Sequence, residues 1–489
     1  MNDEDTGCGV LEQSTITQDA VENIFFPLSV PGAKVISVSD GKRIVIIGLG
    51  AGGLYAAKYA MNTDPKSQVT VVERMPYDMF SPCGLPFALE GVVPSFEDLK
   101  HDVPGSLRRL EKLTNHEVTG VDPENKSVAI TNLESGDEFT REYDSLVFAT
   151  GSKPFIPDSV KPFVGKGVHF ATTIENTQAL KKAAESSGTK TAVCIGAGAI
   201  GLEIAYALKE LGLDVHITKR TPPALPGNLD PDMGKMLEDH LVEKGFKLYW
   251  GQGFDSINGA DHVESVTIGG NTIETDLVVL CIGVSGNTDL ARASGVECSK
   301  KGIITDERMA TNIPDVYAVG DCVQTFDFQT KEPTTMLLAT SAYKQGQVAG
   351  VNAAGGEMRY DGALNTFVTQ VGDFELSSTG FTTQRARDAG YDAMGVKAKF
   401  TDIPEYFPGH KNISVKIIMD KSNGKVLGGQ AVGMSGCGTA WRVNMLALAI
   451  KHGLTVRDIS NAELAYTPPV SDMYDVLAMT ADFAVRRMK

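Results

Sequence analysis

The sequence predicts a multidomain α/β protein in which two parallel-sheet units precede a C-terminal α+β domain. Two glycine-rich turns, at residues 48–53 and 196–201, predict the two units, because each follows an apolar strand and opens a helix of small residues. The third observation is the change after residue 357 to alternating strands and then C-terminal helices. We therefore expect three domains rather than one continuous sheet.

The composition is that of a globular protein with no bias towards nucleic acid. The length of 489 residues fits about three domains, and the net charge of −16 argues against nucleic-acid binding, which needs a basic face. No apolar run approaches the roughly 18 residues that cross a bilayer, so we expect no membrane insertion. The acidic first residues and seven dispersed cysteines without a CxxC pair predict a cytoplasmic location with reduced thiols.

The first unit carries a complete dinucleotide-binding pattern. A β-branched run at 43–47 leads into Gly48-x-Gly50-x-x-Gly53, a helix of small residues follows, and a second strand ends at Glu73, 20 residues after Gly53. The glycines allow the backbone to approach a pyrophosphate at the helix N-terminus, and the carboxylate accepts the ribose hydroxyls. This combination is far more specific than glycines alone.

The second unit repeats the pattern with a different strand end. The strand at 191–195 leads into a second glycine turn, and the next strand, at 214–218, ends in Lys219-Arg220. A carboxylate at this place favours NAD, whereas two cations suit the 2′-phosphate of NADP. A solvated strand end is the alternative interpretation, so NADPH and NADH both stay open. The residues of this turn are Gly196, Gly198, Ile200, Gly201 and Glu203.

Three further strands indicate how the chain connects these units. A buried strand ends in Ala149-Thr150-Gly151, the prolines that follow it predict a crossing between domains, and a strand at 277–282 ending at Gly283 closes the second unit. The run before Gly320-Asp321 predicts a return to the first unit. The expected domains are an N-terminal extension at 1–41, a first dinucleotide-binding domain at 42–157 and 290–356, a second at 158–289, and a C-terminal domain at 357–489.

Cys83 is the candidate reactive group. It lies ten residues beyond Glu73 in Ser81-Pro82-Cys83-Gly84, ahead of a helix start near Leu85. A helix N-terminus lowers the pKa of a thiol and makes it a better nucleophile, so we expect an exposed, activated cysteine. A buried structural thiol is the alternative.

These motifs together resemble the flavin- and pyridine-nucleotide-dependent disulfide oxidoreductases, over nearly everything after residue 42. The resemblance implies a glutathione-reductase-like fold, FAD in the first domain, NADPH or NADH in the second, and a C-terminal dimerisation domain. It also implies that Asp321 contacts the ribityl chain of the flavin. The positions expected to bind the two cofactors are Gly48, Gly50, Gly53, Glu73, Arg74, Ser81, Ala149, Thr150, Gly151, Gly196, Gly198, Ile200, Gly201, Glu203, Lys219, Arg220, Gly283, Gly320 and Asp321.

The single cysteine narrows the resemblance to one subclass. Position 88 is alanine and the chain has no His-Pro dipeptide, so it departs from the two-cysteine members. It is similar to coenzyme A-disulfide reductases, persulfide or polysulfide reductases, and NADH oxidases and peroxidases. Oxidases and peroxidases usually carry a histidine where this chain has Ala51, and many members have an aromatic residue where it has Ala199. Coenzyme A-disulfide reductases usually carry arginines where it has Tyr59, Met61 and Asn62.

The resemblance implies a homodimeric FAD-dependent NAD(P)H:disulfide oxidoreductase that reduces a small disulfide, persulfide or polysulfide, which includes coenzyme A-derived substrates. Cys83 would form a mixed disulfide, and Tyr466 or Tyr406 of the partner subunit would protonate the departing thiolate. Cys437 is either a second thiol of this reaction or a residue at a helix start. Two alternatives stay open: an NADH oxidase or peroxidase with a Cys83 sulfenic acid, and an electron-transfer or redox-sensing subunit that docks a protein through its N-terminal arm.

Overall fold

The computed structural model describes residues 41–222 and 224–488. The N-terminal arm expected before residue 41 lies outside these residues. Within them, no helix combines the length and apolar character that a membrane crossing requires. The α/β class predicted from the sequence is confirmed.

The first sheet contains five parallel strands, and one of them comes from much later in the chain. Its buried, β-branched strands are typical of a parallel sheet covered on both faces. Across the sheet the strands are Val316–Ala318, Ser145–Phe148, Arg43–Ile47, Gln68–Glu73 and Glu111–Thr114.

Helix Ala51–Thr63, which follows the first glycine turn, packs closely along helix Ala339–Ala353. A Cβ atom at Gly346 would contact the carbonyl oxygen of Gly52, and one at Gly350 would contact that of Ala56. The two helix backbones therefore touch, and this contact fixes the glycine turn against the late part of the chain.

The second sheet is also parallel and is continuous in sequence. Helices Ile174–Ala184, Ala199–Glu210 and Pro231–Glu243 accompany it. Its strands, in spatial order, are Val168–His169, Leu277–Leu280, Thr191–Ile195, Asp214–Lys219 and Lys247–Trp250. An antiparallel pair, Ser152–Pro154 with Val284–Gly286, forms the two connections between the first and second sheets.

The C-terminal domain is an antiparallel sheet with helices, as the change in sequence pattern predicts. Helices Thr439–Lys451, Val456–Ser460 and Val476–Arg486 pack with it around a common apolar core. In spatial order its strands are Phe367–Val371, Phe374–Gly380, Val426–Met434, Asn412–Asp420 and Ala393–Thr401.

Shorter elements complete the described chain. The remaining α-helices are Leu85–Glu90, Asp289–Ala293 and Thr383–Asp388, and the 3₁₀ turns are Pro82–Gly84, Phe96–Leu99, Gly105–Leu107, Lys161–Phe163 and Gly320–Cys322. The remaining strands are Met79–Phe80, Lys100–His101, His116–Asp122, Ser127–Asn132, Glu138–Glu142, Phe254–Asn258, Ser265–Ile268, Asn271–Glu274, Cys298–Ser299, Gly302–Ile304, Val323–Phe326 and Pro333–Thr334.

Candidate active site

The first glycine turn is tightly packed on its inner side and open on its outer side. Gly48 has φ +103°, and a Cβ atom there would contact the carbonyl oxygen of Ala149. A Cβ atom at Gly53 would contact the carbonyl oxygen of Gly48, whereas one at Gly50 would meet no atom within 4 Å. The turn therefore leaves room for a phosphate beside the start of helix Ala51–Thr63.

Glu73 lies at the end of its strand and is fixed beside this turn. Its carboxylate accepts hydrogen bonds from the backbone N–H of Leu49 at 2.7 Å and of Met75 at 2.9 Å. Arg74, the next residue, is exposed. The carboxylate thus has the place and orientation that a ribose-binding group of this pattern needs.

Asp321 lies in the turn that follows the late strand of the first sheet. Ser152 Oγ donates to Asp321 Oδ2 at 3.0 Å, and burial raises the pKa of Asp321. Gly320 has φ +80°, and its N–H donates to Gln345 Oε1 at 2.7 Å. The side chain of Thr150 donates to the carbonyl oxygen of Asn287 at 2.7 Å, which ties the Ala149-Thr150-Gly151 turn to the returning chain.

The second glycine turn repeats the geometry of the first. Gly196 has φ +111°, and a Cβ atom there would contact the carbonyl oxygen of Cys281. A Cβ atom at Gly201 would contact the carbonyl oxygen of Gly196, while one at Gly198 or at Gly283 would meet no atom within 4 Å. Here too the outer side of the turn is open.

Two cations follow the strand Asp214–Lys219. Lys219 is its last residue, and burial lowers the pKa of Lys219; Arg220 is exposed. In the part of the chain that the structure describes, neither side chain forms an ion pair with a carboxylate. Both are therefore free to meet an anionic ligand at this end of the sheet.

Cys83 lies in the 3₁₀ turn Pro82–Gly84, directly before helix Leu85–Glu90, and its side chain is solvent-exposed. The expectation that the helix start lowers its pKa is wrong. Burial by the surrounding protein, followed by the charges of Glu203 and Asp321, raises the pKa of Cys83, and its backbone hydrogen bond only partly opposes this. Water reaches the thiol, yet enough solvent is displaced around it to disfavour the thiolate.

Glu203, which the sequence places among the residues expected to bind the nicotinamide cofactor, is a second unusual ionisable group. Burial raises the pKa of Glu203 to about 7, against a hydrogen bond from Thr369 Oγ1 that lowers it. A cavity of about 90 Å³ adjoins the carboxyl group. Its lining comes from three regions of the chain: Pro86, Phe87, Glu90, Val92, Glu203, Tyr206, Gln370 and Gly372.

Tyr406 and Tyr466 lie together although 60 residues separate them. Their hydroxyl oxygens are 3.3 Å apart, and both side chains are exposed. The hydrogen bond between the two hydroxyl groups raises the pKa of Tyr466. Among the described residues of the single chain, no hydrogen bond joins either tyrosine to Cys83.

Cys437 is unsuited to a part in thiol exchange. It is almost fully buried, and burial followed by the charge of Glu375 raises its pKa to about 12. A Cβ atom at Gly433 would come within 2.7 Å of its Sγ atom, so the thiol is packed against the strand Val426–Met434. These observations favour the structural alternative for this residue.

Tyr59, one of the three positions where the resemblance led us to compare with arginines, belongs to a cluster of tyrosines between helices Ala51–Thr63 and Ala339–Ala353. The rings of Tyr55 and Tyr343 are 4.2 Å apart between centroids. Burial, followed by a hydrogen bond with Tyr343, raises the pKa of Tyr59 to about 12. Lys58 Nζ lies 5.5 Å from the centroid of the Tyr55 ring.

Comparison with known families decides what this architecture is. The family model for pyridine nucleotide-disulphide oxidoreductases matches residues 42–346, and the model of that family's dimerisation domain matches residues 366–478. The chain belongs to the pyridine nucleotide-disulphide oxidoreductase family. The cofactors of this family are FAD and NAD(P)H, and relatives of this chain in it include NAD(P)H sulfur oxidoreductases and persulfide reductases.

Relatives within the family carry names from more than one activity. The chain is 37% identical to an NADH oxidase from Methanocaldococcus jannaschii, over 91% of this chain and 99% of that protein. It is 33% identical to an NAD(P)H coenzyme A polysulfide/persulfide reductase from Pyrococcus horikoshii, over 90% and 98% of the two chains. The solved structure of an NAD-dependent persulfide reductase from A. fulgidus matches with a TM-score of 0.85 and 33% identity, covering 91% of this chain and 83% of that one.

The residues present fit the family's two cofactors. Each glycine turn packs tightly within the protein and is open at its central glycine, Gly50 or Gly198, where a pyrophosphate needs the backbone to be accessible. Glu73 supplies a ribose acceptor at the first turn, and Lys219 and Arg220 supply cations at the second. These are the groups that would contact the two dinucleotides.

Proposed function

We propose that this protein is an NAD(P)H-dependent reductase of a low-molecular-weight disulfide, persulfide or polysulfide, with Cys83 as the residue that reacts with sulfur. One observation carries the proposal: the exposed thiol of Cys83 directly precedes helix Leu85–Glu90, which packs against helix Ala199–Glu210, the helix that begins at the second glycine turn. A group between two dinucleotide turns is where electrons from NAD(P)H can leave the protein.

FAD, when bound, supplies the electron transfer between NAD(P)H and sulfur. The first glycine turn, Glu73, Arg74, Ser81, the Ala149-Thr150-Gly151 turn and Asp321 would hold it. The second glycine turn with Lys219 and Arg220 would hold NAD(P)H, with NADPH favoured by the two cations.

The thiol of Cys83 carries the sulfur chemistry that we propose for this chain's own residues. In the proposed cycle Cys83 forms a mixed disulfide with the substrate thiol and is later released as a thiolate that attacks the next disulfide. Tyr406 and Tyr466, contributed by the second subunit of a homodimer, protonate the departing thiolate. The dimerisation domain match and the exposed aromatic pair support this arrangement.

The named relatives support sulfur reduction without identifying the thiol. Relatives from two Pyrococcus species are NAD(P)H sulfur oxidoreductases described as coenzyme A-dependent. This chain has Tyr59 and Asn62 in place of the arginines that grip coenzyme A in similar reductases, so coenzyme A is one candidate among several small thiols. We place the protein in the cytoplasm, because an odd and dispersed set of seven cysteines is typical of a protein whose thiols stay reduced.

An NADH oxidase is the second candidate, and the M. jannaschii relative of that name favours it. In that case peroxide would oxidise the Cys83 thiolate to a sulfenic acid with release of hydroxide, and two electrons from NADH would return it to the thiol with release of water. Two residues argue in opposite directions. Ala51 stands where oxidases usually carry a histidine, which counts against the oxidase. Ala199 stands where many members have an aromatic residue, so the nicotinamide side of the flavin would be less covered and more open to oxygen.

The test compares Cys83→Ser with Cys298→Ser, a control at a half-buried thiol outside the site. We expect Cys83→Ser to abolish NAD(P)H-dependent reduction of coenzyme A disulfide and polysulfide, while Cys298→Ser keeps it. Turnover of oxygen or peroxide as fast as that of the sulfur substrates would favour the oxidase. Sulfur reduction that survives Cys83→Ser would refute the proposal. A separate variant without residues 1–40 tests the alternative in which the N-terminal arm docks a protein partner, and unchanged activity would exclude a role for the arm.

A further inference from the structure

A narrow two-stranded ribbon carries the chain between the two dinucleotide-binding units. Its strands are Ser152–Pro154, which leaves the first unit, and Val284–Gly286, which returns to it. At one end Asn287 N–H donates to the carbonyl oxygen of Gly151 at 2.9 Å. At the other end the N–H that follows the first strand donates to the carbonyl oxygen of Gly283 at 3.1 Å. The ribbon thus joins a turn that is expected to hold the flavin to one that is expected to hold the nicotinamide nucleotide.

A reciprocal pair of side-chain hydrogen bonds closes the flavin end of this ribbon. Thr150 Oγ1 donates to the carbonyl oxygen of Asn287 at 2.7 Å, and Asn287 Nδ2 donates to the carbonyl oxygen of Thr150 at 2.8 Å. With the bond from the Asn287 N–H to Gly151, three hydrogen bonds fasten this one residue to the flavin turn. We call the pair of Thr150 and Asn287 the crossover clamp.

The ribbon also packs directly on the turn that contains Asp321. A Cβ atom at Gly286 would lie 3.0 Å from the Cα atom of Cys322 and 3.1 Å from the carbonyl oxygen of Asp321, so the two backbones touch. From the other strand, Ser152 Oγ donates to Asp321 Oδ2 at 3.0 Å. Both strands of the ribbon are therefore held against the flavin-binding unit.

Backbone pairing alone gives this ribbon little rigidity. An isolated pair of strands is marginally stable in water, and Pro154 has no N–H to donate to its partner strand. Lys153 forms an ion pair with Asp289 across the ribbon, but water reaches both side chains, so this contact contributes little. The crossover clamp, whose two residues are only partly exposed, therefore restrains the crossing more than this ion pair does.

We propose that Asn287 is a positioning residue for hydride transfer: through Thr150, the crossover clamp fixes the nicotinamide-binding unit in one orientation relative to the flavin-binding unit. The inference rests on the cofactor placement proposed above, and it does not depend on the sulfur substrate. In this transfer the C–H bond of the reduced nicotinamide breaks, and the hydrogen passes with both bonding electrons to the flavin. The products are NAD(P)⁺ and reduced flavin, and no further reactant is needed.

The rate of such a transfer depends steeply on geometry. The reacting atoms must approach to roughly 3–3.5 Å, and a misplacement of about 1 Å can slow a reaction about a hundredfold. Because the two cofactors belong to different units, a small rotation at the crossing changes their separation without altering either glycine turn. Loss of the clamp is therefore expected to slow the transfer while each cofactor still binds.

The first measurement follows reduction of the bound flavin by NADPH in stopped flow, without oxygen or a sulfur substrate. Asn287→Asp is nearly isosteric and removes the amide donor of the clamp. We expect its limiting rate to fall about tenfold or more, while the NADPH concentration that gives half this rate stays within about twofold. Lys153→Ala, which breaks the exposed ion pair of the same ribbon, is the matched control and is expected to keep both values.

Hydrogen–deuterium exchange gives a readout that does not depend on turnover. It is measured in the FAD-loaded protein without NADPH, on peptides that contain residues 150–155 and 283–287. We expect these peptides to exchange about threefold or more faster in Asn287→Asp, because opening of the ribbon exposes its backbone N–H groups. Lys153→Ala is expected to exchange as the wild type does. Wild-type exchange in Asn287→Asp would overturn the inference.

A double-mutant cycle tests whether Thr150 and Asn287 act as one unit. Thr150→Val removes the hydroxyl donor at nearly constant volume. We expect the double variant to reduce its flavin no more slowly than the slower single variant, since either change opens the same clamp.

Losses that multiply in the double variant, or a wild-type limiting rate in Asn287→Asp, would overturn the inference. Loss of bound FAD from Asn287→Asp would overturn it as well, because the residue would then hold the cofactor itself and not the orientation of the units. Flavin reduction is measured without a sulfur substrate, so these outcomes stand apart from the result of Cys83→Ser, which tests the proposed function.

Discussion

Lys416 of the C-terminal sheet forms an ion pair with Asp230 of the second unit, with 2.6 Å between Nζ and Oδ2, and both side chains are buried. Thr383 donates to the same carboxylate from its backbone N–H and its hydroxyl group. Burial alone would raise the pKa of Asp230, but the hydrogen bonds from Lys416 and Thr383 and the charge of Lys416 lower it overall. This buried ion pair thus joins the second unit to the C-terminal domain. Removal of either charge alone would leave the other one buried without its partner.

Lys416→Met removes one charge of this pair, and we expect a loss of about 3–5 kcal/mol in the free energy of unfolding at pH 7. In the wild type the lowered pKa makes Asp230 stabilising above the unfolded value of 3.8, and this contribution disappears as the pH falls through the folded pKa. In the variant, burial raises the pKa of the unpaired carboxyl group. Stability of the variant therefore declines as the pH rises through that raised value.

Urea unfolding at pH 5 and pH 7 checks this prediction. Lys397→Met is the control, because its pair with Asp232, at 2.9 Å, is partly exposed and contributes at most about 1 kcal/mol. A Lys416→Met protein as stable as the wild type at pH 7 would contradict the prediction.

The two kinds of glycine in the first turn predict two kinds of defect. Gly53→Ala puts a Cβ atom against the carbonyl oxygen of Gly48, so we expect the FAD-free protein to lose about 1–3 kcal/mol of stability. Gly50 has φ −72° and open space beside it, so Gly50→Ala is expected to leave the FAD-free protein unchanged and to weaken FAD binding about tenfold or more. Thermal unfolding without FAD measures the stability defect, and titration with FAD measures the binding defect. Tight FAD binding by Gly50→Ala would count against the proposed site.

Lys219 and Arg220 predict a preference between nicotinamide cofactors. Replacement of either by alanine is expected to raise the KM for NADPH about tenfold while the KM for NADH stays within about twofold, because only the 2′-phosphate needs a cation. Lys190→Ala, at the opposite end of the neighbouring strand, is the control. Equal effects on both cofactors would show that these cations do not contact the phosphate.

The pair Tyr406 and Tyr466 predicts a proton-donor defect. We expect the double variant, with both tyrosines changed to phenylalanine, to reduce disulfides about tenfold or more slowly, while reduction of the bound flavin by NAD(P)H keeps its rate. Tyr474→Phe is the control at another exposed tyrosine of the same domain. Stopped-flow absorbance separates the two half-reactions; an unchanged disulfide rate in the double variant would leave the pair with a packing role alone.

Sequence alone was sufficient for features that depend on neighbours along the chain. The strand–glycine–helix order and the spacing to Glu73 are local, so both turns and the α/β class follow from the pattern. The pKa shift of Cys83 was predicted in the wrong direction, because a local helix rule ignores burial by the surrounding protein and the charges of Glu203 and Asp321, which are distant in the sequence. Glu203 was predicted to lie at the nicotinamide cofactor from its place after the second glycine turn, but its hydrogen bond with Thr369 was not predictable, since Thr369 lies 166 residues away.

The contact between helices Ala51–Thr63 and Ala339–Ala353 has a consequence for how the protein is made. The first unit lacks both its helix partner and the strand Val316–Ala318 until most of the chain has left the ribosome. The second unit is continuous and has all its strands much earlier. During synthesis the nicotinamide-binding half can therefore fold first, and the flavin-binding half, although it begins nearer the N-terminus, is completed around it afterwards.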